Sequence, residues 1–315
     1  MSPNSWICLY PSNATEAKLS LDNRGLAYGD GFFTTMGVID GQILWLDYHQ
    51  QRLVSHAVAL QLQLDSFSLL TVLKTHAKQI QQGMLKLIIT RVEQEVRGYG
   101  YTPNTGGSAC EVWLKSSPMA ITTAQSLPLA NNQFISLQPA ASAICLSSQI
   151  ACLPPPLAGL KSLNRLDNVL ASGELQAIKA KTLAGTIKPS IAEGLLRDMS
   201  GRWVEGTMSN VFYQLVEAPV AKSSNRPHSQ NNSSNYLTQG QWYTPSMAQS
   251  GVAGVMRQVI IDTLSTSKNP VIIRSLQDKD LPHLSQLFFC NALRGVMPMS
   301  SLGLLSGEVV SFEAI

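Results

Sequence analysis

Hydrophobic and polar positions change period several times along the chain, and each change marks an element. Residues 32–40, "FFTTMGVID", and 42–46, "QILWL", are short apolar runs joined at Asp40-Gly41, a tight-turn pair, and they predict a β-hairpin. The next run, "DYHQQRLVSHAVALQL", places Leu53, Val54, Ala57, Val58 and Leu60 at helical spacing, with Asp47 as its expected cap. "SFSLLTVLKTHAKQIQQG" predicts a second helix, with Ser66 at its start and Gly83 past its end. "MLKLIITRV" and "ACEVWLK" read as strands. Residues 1–117 therefore form a small α+β domain. Its "FFTTM", "ILWL" and "LIIT" segments carry more apolar surface than a domain of that size hides alone.

Residues 118–132 shift toward Ser, Thr, Pro and Ala and read as a linker. Strand-like runs resume in 133–315 with "FISLQPAASAICLSS", followed by a helical run after "PPPLAGLKSLN". "IAEGLLRDMSGRWVEGTMSNVFYQLVE", "QWYTP", "NPVIIRSL" and "QLFFCNA" are strands broken by turns, and a helix opens after Gly251 and Gly254. Residues 218–240 are polar and low in complexity, and are expected to be a hairpin insertion.

Composition narrows the partners. Over 315 residues the hydrophobic fraction is 44% and the charged fraction 14%, enough for a sizeable core but not for a solvated, charged chain. The formal net charge of +3 comes without a Lys/Arg stripe, so no nucleic-acid partner is expected. Five cysteines without a CxxC pair point to buried, reduced thiols and no metal site. No basic leader and no apolar run of bilayer length is visible, so a cytoplasmic protein without a membrane partner is expected.

The common catalytic motifs are missing: no HExxH, no GxSxG and no GxxxxGK[ST]. "GYGYTPNTGG" is glycine-rich but lacks the strand–GxGxxG–helix order. The five histidines have no ligand spacing and read as structural or solvated. What is left is a dispersed set of residues. Arg52 lies in "HQQRL", Arg97 in "EVRGYG", Lys161 in "GLKSLN" and Glu205 in "VEGTMSN". Taken singly, each has an ordinary reading as a surface or turn residue.

Taken in order, "RGLAYGDGFFTT", "HQQRL", "RGY", "LAGLKSLNRLDNVLA", "VEGTMSNVF", "YTP", "GVMRQ" and "CNALRGVMP" resemble the fold-type IV pyridoxal-phosphate enzymes over nearly the whole chain. That family includes branched-chain and D-amino-acid aminotransferases and aminodeoxychorismate lyases, and the first and last segments are similar to the lyases. The resemblance implies an α+β, two-domain enzyme with a smaller N-terminal domain and a larger, mixed β-barrel-like C-terminal domain with helices. It implies pyridoxal 5'-phosphate as cofactor and a homodimer.

By resemblance, Lys161 holds the cofactor as a Schiff base and Glu205 faces its pyridine nitrogen. Arg52, Val255, Met256, Asn291 and Ala292 line its phosphate side. Arg97, Thr34 and Thr35 fall at substrate positions. Such a lysine must spend time as a neutral amine, which burial away from carboxylates at the positive end of a helix favours. The implied reaction converts 4-amino-4-deoxychorismate to 4-aminobenzoate and pyruvate, with amino-acid transamination as the alternative.

Overall fold

Alternation along the first hairpin decides which face of a sheet meets the core. A computed structural model describes residues 6–10, 19–102, 106–121, 125–128, 134–183, 191–216 and 236–312. Two compact units emerge. The first gathers Met1–Thr122, Leu153–Leu166 and Met247–Val259; the second gathers Thr123–Cys152, Asp167–Ser246 and Ile260–Ile315. The division differs from the contiguous domains 1–117 and 133–315 read from sequence, because the lysine-bearing stretch and the start of the last helix pack with the N-terminal strands.

The first unit holds β1 (Trp6–Tyr10), α1 (Arg24–Tyr28), β2 (Gly31–Ile39), β3 (Gln42–Ile43), α2 (Leu46–Ala59), β4 (Leu62–Gln63), α3 (Ser66–Ile80), β5 (Gly83–Arg91) and β6 (Ser108–Pro118). The sheet order is β1-β6-β5-β2-β3, with β4 pairing β6. Asp40 (φ 51) and Gly41 (φ 69) turn the β2–β3 hairpin with both central residues in the left-handed region, as the sequence predicts. Phe32, Met36, Leu85, Leu87, Ile89, Val112 and Leu114 line one face and pack with Leu53 and Ala57 of α2 and Leu69, Leu70 and Leu73 of α3. Fully burying each of the larger side chains stabilises the fold by roughly 1.5–3 kcal/mol. Much of the apolar excess noted in the sequence is thus covered by the unit's own helices.

The caps differ in detail from the sequence reading. Trp45, in a left-handed conformation, precedes α2 without a side-chain cap, and Asp47 sits in the first turn, where its charge favours the helix dipole. Asp65 rather than Ser66 caps α3, accepting from Ser68 N. The turn-rich segment before β2 contains the short helix α1, capped by Asn23.

The second unit contains β7 (Gln125–Pro128), β8 (Phe134–Leu137), β9 (Ala141–Ile150), β10 (Ile191–Asp198), β11 (Trp203–Gly206), β12 (Asn210–Leu215), β13 (Tyr243–Thr244), β14 (Ile272–Ile273), β15 (Leu284–Asn291), β16 (Gly295–Gly303) and β17 (Val309–Ser311). Helices α4 (Leu166–Leu183) and α5 (Val255–Leu264) accompany them. Pairings run β9–β10–β11–β12–β15–β16 and back to β9, closing a six-stranded barrel. The mixed α+β, barrel-containing architecture expected from the sequence is therefore present. Closure leaves those strands no free edges. Val211 and Tyr213 of β12 and Leu287 and Phe289 of β15 join one core. On the alternate face Phe212 stacks on Phe288 at 4.8 Å, and Trp242 meets Phe288 at 4.6 Å.

The expected linker is strand at β7, which pairs with β8. Of the polar insertion expected at 218–240, residues 218–235 lie outside the described residues. Its end is not a solvated tip: Tyr236 and Leu237 are buried in a 3₁₀ turn, and Tyr236 packs edge-on against Trp242. All five cysteines are free; Cys145 and Cys290 are buried, whereas Cys152 is exposed, against the uniform burial expected. Among the described residues no helix is long and apolar enough to cross a membrane, and no acid/His/Cys cluster could hold a metal.

Candidate active site

Lys161 does not sit on a helix start, as the sequence suggested. Helix α4 begins five residues later, at Leu166. Lys161 lies instead in an extended segment laid along β2. Phe33 N donates to the Lys161 carbonyl at 3.0 Å, Leu163 N donates to the Gly31 carbonyl at 3.0 Å, and Phe32 and Ser162 form an antiparallel bridge. The ammonium lies 4.4 Å from the Phe33 ring centroid. Arg165 donates to the Leu160 carbonyl and holds the segment from its other end. The Lys161 peptide N–H donates to His56 Nε2 at 2.9 Å.

The loop before the lysine ties it to the start of α5. Ala253 N donates to the Gly159 carbonyl at 2.9 Å, and Gly159 and Val252 form a parallel bridge. Gly159 adopts φ 78, where a side chain is strained, and a Cβ there would come within 3.2 Å of the Met247 carbonyl oxygen. Arg52, buried on α2, donates from Nη2 to the Ala253 carbonyl at 2.7 Å. Burial lowers its pKa to about 10, so it stays charged at neutral pH. Val255 and Met256 open α5, whose first N–H groups have no partner within the helix.

A guanidinium with donors beyond its one bond to Ala253, beside a helix N-terminus and a loop that carries a primary amine, is a donor set suited to a phosphate and an aldehyde. The residues present therefore fit pyridoxal phosphate.

Thr34 and Thr35 separate by strand alternation. Thr34 is fully buried on the core face and hydrogen-bonds His49 Nδ1 at 2.9 Å, bracing α2 on β2 rather than presenting itself to a substrate. Thr35 points to the same face as Phe33, opposite Lys86 of β5. Arg97 is exposed in the loop after β5. That loop is held by Arg24, whose Nη1 and Nη2 donate to Gly100 O at 3.0 Å and Tyr99 O at 3.1 Å. Asp30 anchors both Arg24 (2.8 Å) and Arg91 (2.9 Å).

In the second unit, Glu205 ends β11 opposite Leu196 and Asn210, and is buried. Asn168 Nδ2 donates to its Oε1 at 3.4 Å, while Asn168 Oδ1, also buried, has no hydrogen bond among the described residues. The turn after Glu205 is fixed by Glu193. Its Oε1 accepts from Thr207 N (3.1 Å), Thr207 Oγ1 (2.6 Å) and Gly194 N (3.0 Å), and its Oε2 accepts from Ser209 Oγ (2.7 Å). A Cβ on Gly206 would overlap Ser209 Oγ. Asn291 caps the β15–β16 turn, Oδ1 accepting from Leu293 N (3.1 Å) and Arg294 N (2.8 Å), with Ala292 inside that turn. The Asn291 carboxamide oxygen expected on a phosphate is thus already engaged.

Sequence reasoning missed Glu193, Asn168, Arg24 and His56. No spacing singles them out; each matters through a partner far away in sequence. His49 and His56 share one environment. Burial foremost, with Arg52 beside both and Arg165 and Lys161 also beside His56, pushes each from the ordinary 6.5 to about 3. Both are neutral in the fold and charge on unfolding in acid. Their contribution is complete above pH 6.5 and is lost as pH falls toward 3, because the unfolded chain binds the extra protons. Unfolding free energy is expected to drop by on the order of 1.4 kcal/mol per pH unit for each histidine across that window. Urea titrations from pH 7 to 5, above most carboxylate titration, test this; a flat profile is the contrary result.

Comparison with known proteins gives this architecture a class. The description "Amino-transferase class IV" matches residues 31–302, and the chain belongs to that family. It is similar to an aminodeoxychorismate lyase of Vibrio harveyi, with 23% identity over 287 residues, covering 91% of this chain and 88% of the relative. It is similar to the crystal structure of 4-amino-4-deoxychorismate lyase from Pseudomonas aeruginosa, with 30% identity, a TM-score of 0.66, and 91% and 88% of the two chains covered. It also shares its fold with a hypothetical aminotransferase from Mycobacterium tuberculosis in a PLP-bound form, at 18% identity and TM-score 0.62, covering 94% and 90%.

Proposed function

We propose that the chain is a carbon–oxygen lyase that converts 4-amino-4-deoxychorismate to 4-aminobenzoate and pyruvate, with pyridoxal 5'-phosphate as its cofactor. The observation that carries the cofactor site is the tie in the first unit linking Lys161, Gly159, Ala253, Arg52 and the start of α5. The choice of lyase is supported by the 30% identity to the Pseudomonas aeruginosa lyase. Bound there, the cofactor supplies an electron sink for charge left on the substrate carbon.

The chain's residues take the remaining roles. Arg52 and the N–H groups of Val255 and Met256 bind the phosphate. Lys161 attaches the cofactor, is displaced by the substrate amine, and then removes the proton at the amine-bearing ring carbon. Glu205 holds a proton at the pyridine nitrogen. The bond to the enolpyruvyl oxygen breaks, the ring becomes aromatic, and the released enol takes up a proton to become pyruvate. Arg97 and Thr35 are assigned to the substrate; the buried bond of Thr34 to His49 supports a bracing role for it. Asn291 and Ala292 fix the turn at their end of β15.

The test is incubation with 4-amino-4-deoxychorismate in the absence of any keto acid. Release of pyruvate and 4-aminobenzoate is expected. Turnover that requires a keto acid acceptor would make the chain an aminotransferase.

The assembly assigned is a homodimer in the cytoplasm. Support comes from α4, where Leu166, Val169 and Leu170, spaced i, i+3, i+4, are 79%, 61% and 71% exposed. Light scattering across a dilution series is expected to give twice the chain mass of 34.2 kDa. A fully active monomer is the opposing result.

A further inference from the structure

His56 is only 5% exposed, and nothing in the reaction above uses it. Its hydrogen bonds have one consistent direction. A peptide N–H can only donate, so His56 Nε2, 2.9 Å from Lys161 N, must accept. The ring proton then sits on Nδ1, 3.3 Å from Ser55 Oγ. Ser55 Oγ donates to the Arg52 carbonyl at 3.2 Å and keeps a lone pair for the Nδ1 proton. The chain of bonds runs from the Lys161 amide, through His56 and Ser55, to the backbone of Arg52. Phe32 meets the imidazole edge-on at 5.3 Å and sets its plane.

The other side of the same lysine residue is also held, because Phe33 N donates to the Lys161 carbonyl. The Lys161 backbone is therefore gripped at both N–H and C=O, while its four-carbon side chain keeps its own torsions above Phe33. Fixing the root of a flexible side chain shortens the search for the reactive pose. The groups around the imidazole are Arg52 on its own helix, Arg165 and Lys161 on the extended segment, and the apolar Phe32 ring of β2. All three charged neighbours are cations, so the neutral acceptor form persists. A protonated ring would set its own N–H against that of Lys161.

We propose that His56, held as the Nδ1–H tautomer, is a positioning residue that fixes the Lys161 backbone relative to Arg52. The inference rests on the reading that Lys161 carries the cofactor. The test uses the full-length chain with two variants. His56→Phe keeps a ring against Phe32 but removes the acceptor, stranding the Lys161 N–H. His56→Gln returns an acceptor oxygen.

Three readouts apply: hydrogen exchange of the Lys161 amide without cofactor, the rate and site of trapping by pyridoxal phosphate and borohydride, and the nitrogen resonances of His56. In His56→Phe the Lys161 amide is expected to exchange about tenfold faster, equivalent to about 1.4 kcal/mol, within the range for one stranded buried donor. Trapping at Lys161 should slow by a similar factor, while Leu53 and β5 amides hold their protection. His56→Gln should recover most of both effects, and the wild-type Nε2 should resonate as unprotonated.

Unchanged Lys161 exchange in His56→Phe, with Lys161 still the trapped residue, overturns the positioning role alone. Loss of protection across the whole unit in both variants also overturns it, since that is a packing defect. Trapping on another lysine overturns the cofactor assignment and this inference with it.

Discussion

Lys161→Ala is expected to abolish borohydride-trappable pyridoxal phosphate and to cut turnover by on the order of 10⁴-fold, the upper range for a proton-transfer group that also forms the covalent link. The protein should stay folded. The bonds that place residue 161 in the fold belong to its backbone, through His56 Nε2 and Phe33 N, and alanine keeps both. What is lost from the side chain is the contact of its ammonium with the Phe33 ring, a term of roughly 0.5–1 kcal/mol at a partly exposed site. Circular dichroism and a thermal melt separate the two effects. A variant that still traps the cofactor, or retains activity, removes Lys161 from its role. A variant that fails to fold would mean that the side chain carries packing which its half-buried position does not suggest.

The elements of the first unit were legible because each announces itself locally. The period-2 run of β2 and the Asp40-Gly41 turn need no distant partner, and the 3.6-period stripe of α2 follows from Leu53 and Ala57 facing a single core. The grouping of the units was not legible. Leu153–Leu166 lies far in sequence from β2, and only the Phe32–Ser162 bridge and the Gly159–Ala253 bond draw it there. Composition carries no trace of such pairings. For the same reason the environment of Lys161 was misread. A helix N-terminus was the local explanation for a lone lysine before a helical run, whereas the structure surrounds its backbone with a strand, an imidazole and the cation of Arg165. The burial of Thr34 was in principle readable, since alternation along β2 sets it beside Phe32 and Met36, yet the family resemblance drew attention to the pair "TT" as a unit. Glu193 could not be found at all, because its significance is a set of hydrogen bonds to the turn from Gly206 to Ser209.

Glu205→Gln should retain the cofactor and slow turnover by about 10²–10³-fold, the usual loss when one pre-aligned group that stabilises developing charge is removed. The position is built to hold an oxygen acceptor rigidly. Glu205 is 3% exposed, paired in register with Leu196 and Asn210, and receives Asn168 Nδ2 at 3.4 Å. Glutamine keeps the shape and an oxygen for Asn168, so neither the barrel strands nor the Glu193-bound turn should shift. Its amide is uncharged and cannot stabilise a proton on the pyridine nitrogen, so the electron sink weakens. The discriminating measurement is a split: cofactor occupancy and melting temperature near wild type, with the loss confined to kcat.

Asn168→Ala offers a graded control, because it removes the donor but leaves the carboxylate, and its effect should be smaller than that of Glu205→Gln. If Glu205→Gln matches wild type in kcat, the carboxylate is one more buried strand-end acid satisfied by its neighbours. If Asn168→Ala costs more than Glu205→Gln, the unpartnered Asn168 Oδ1, rather than the carboxylate, becomes the atom that meets the ligand.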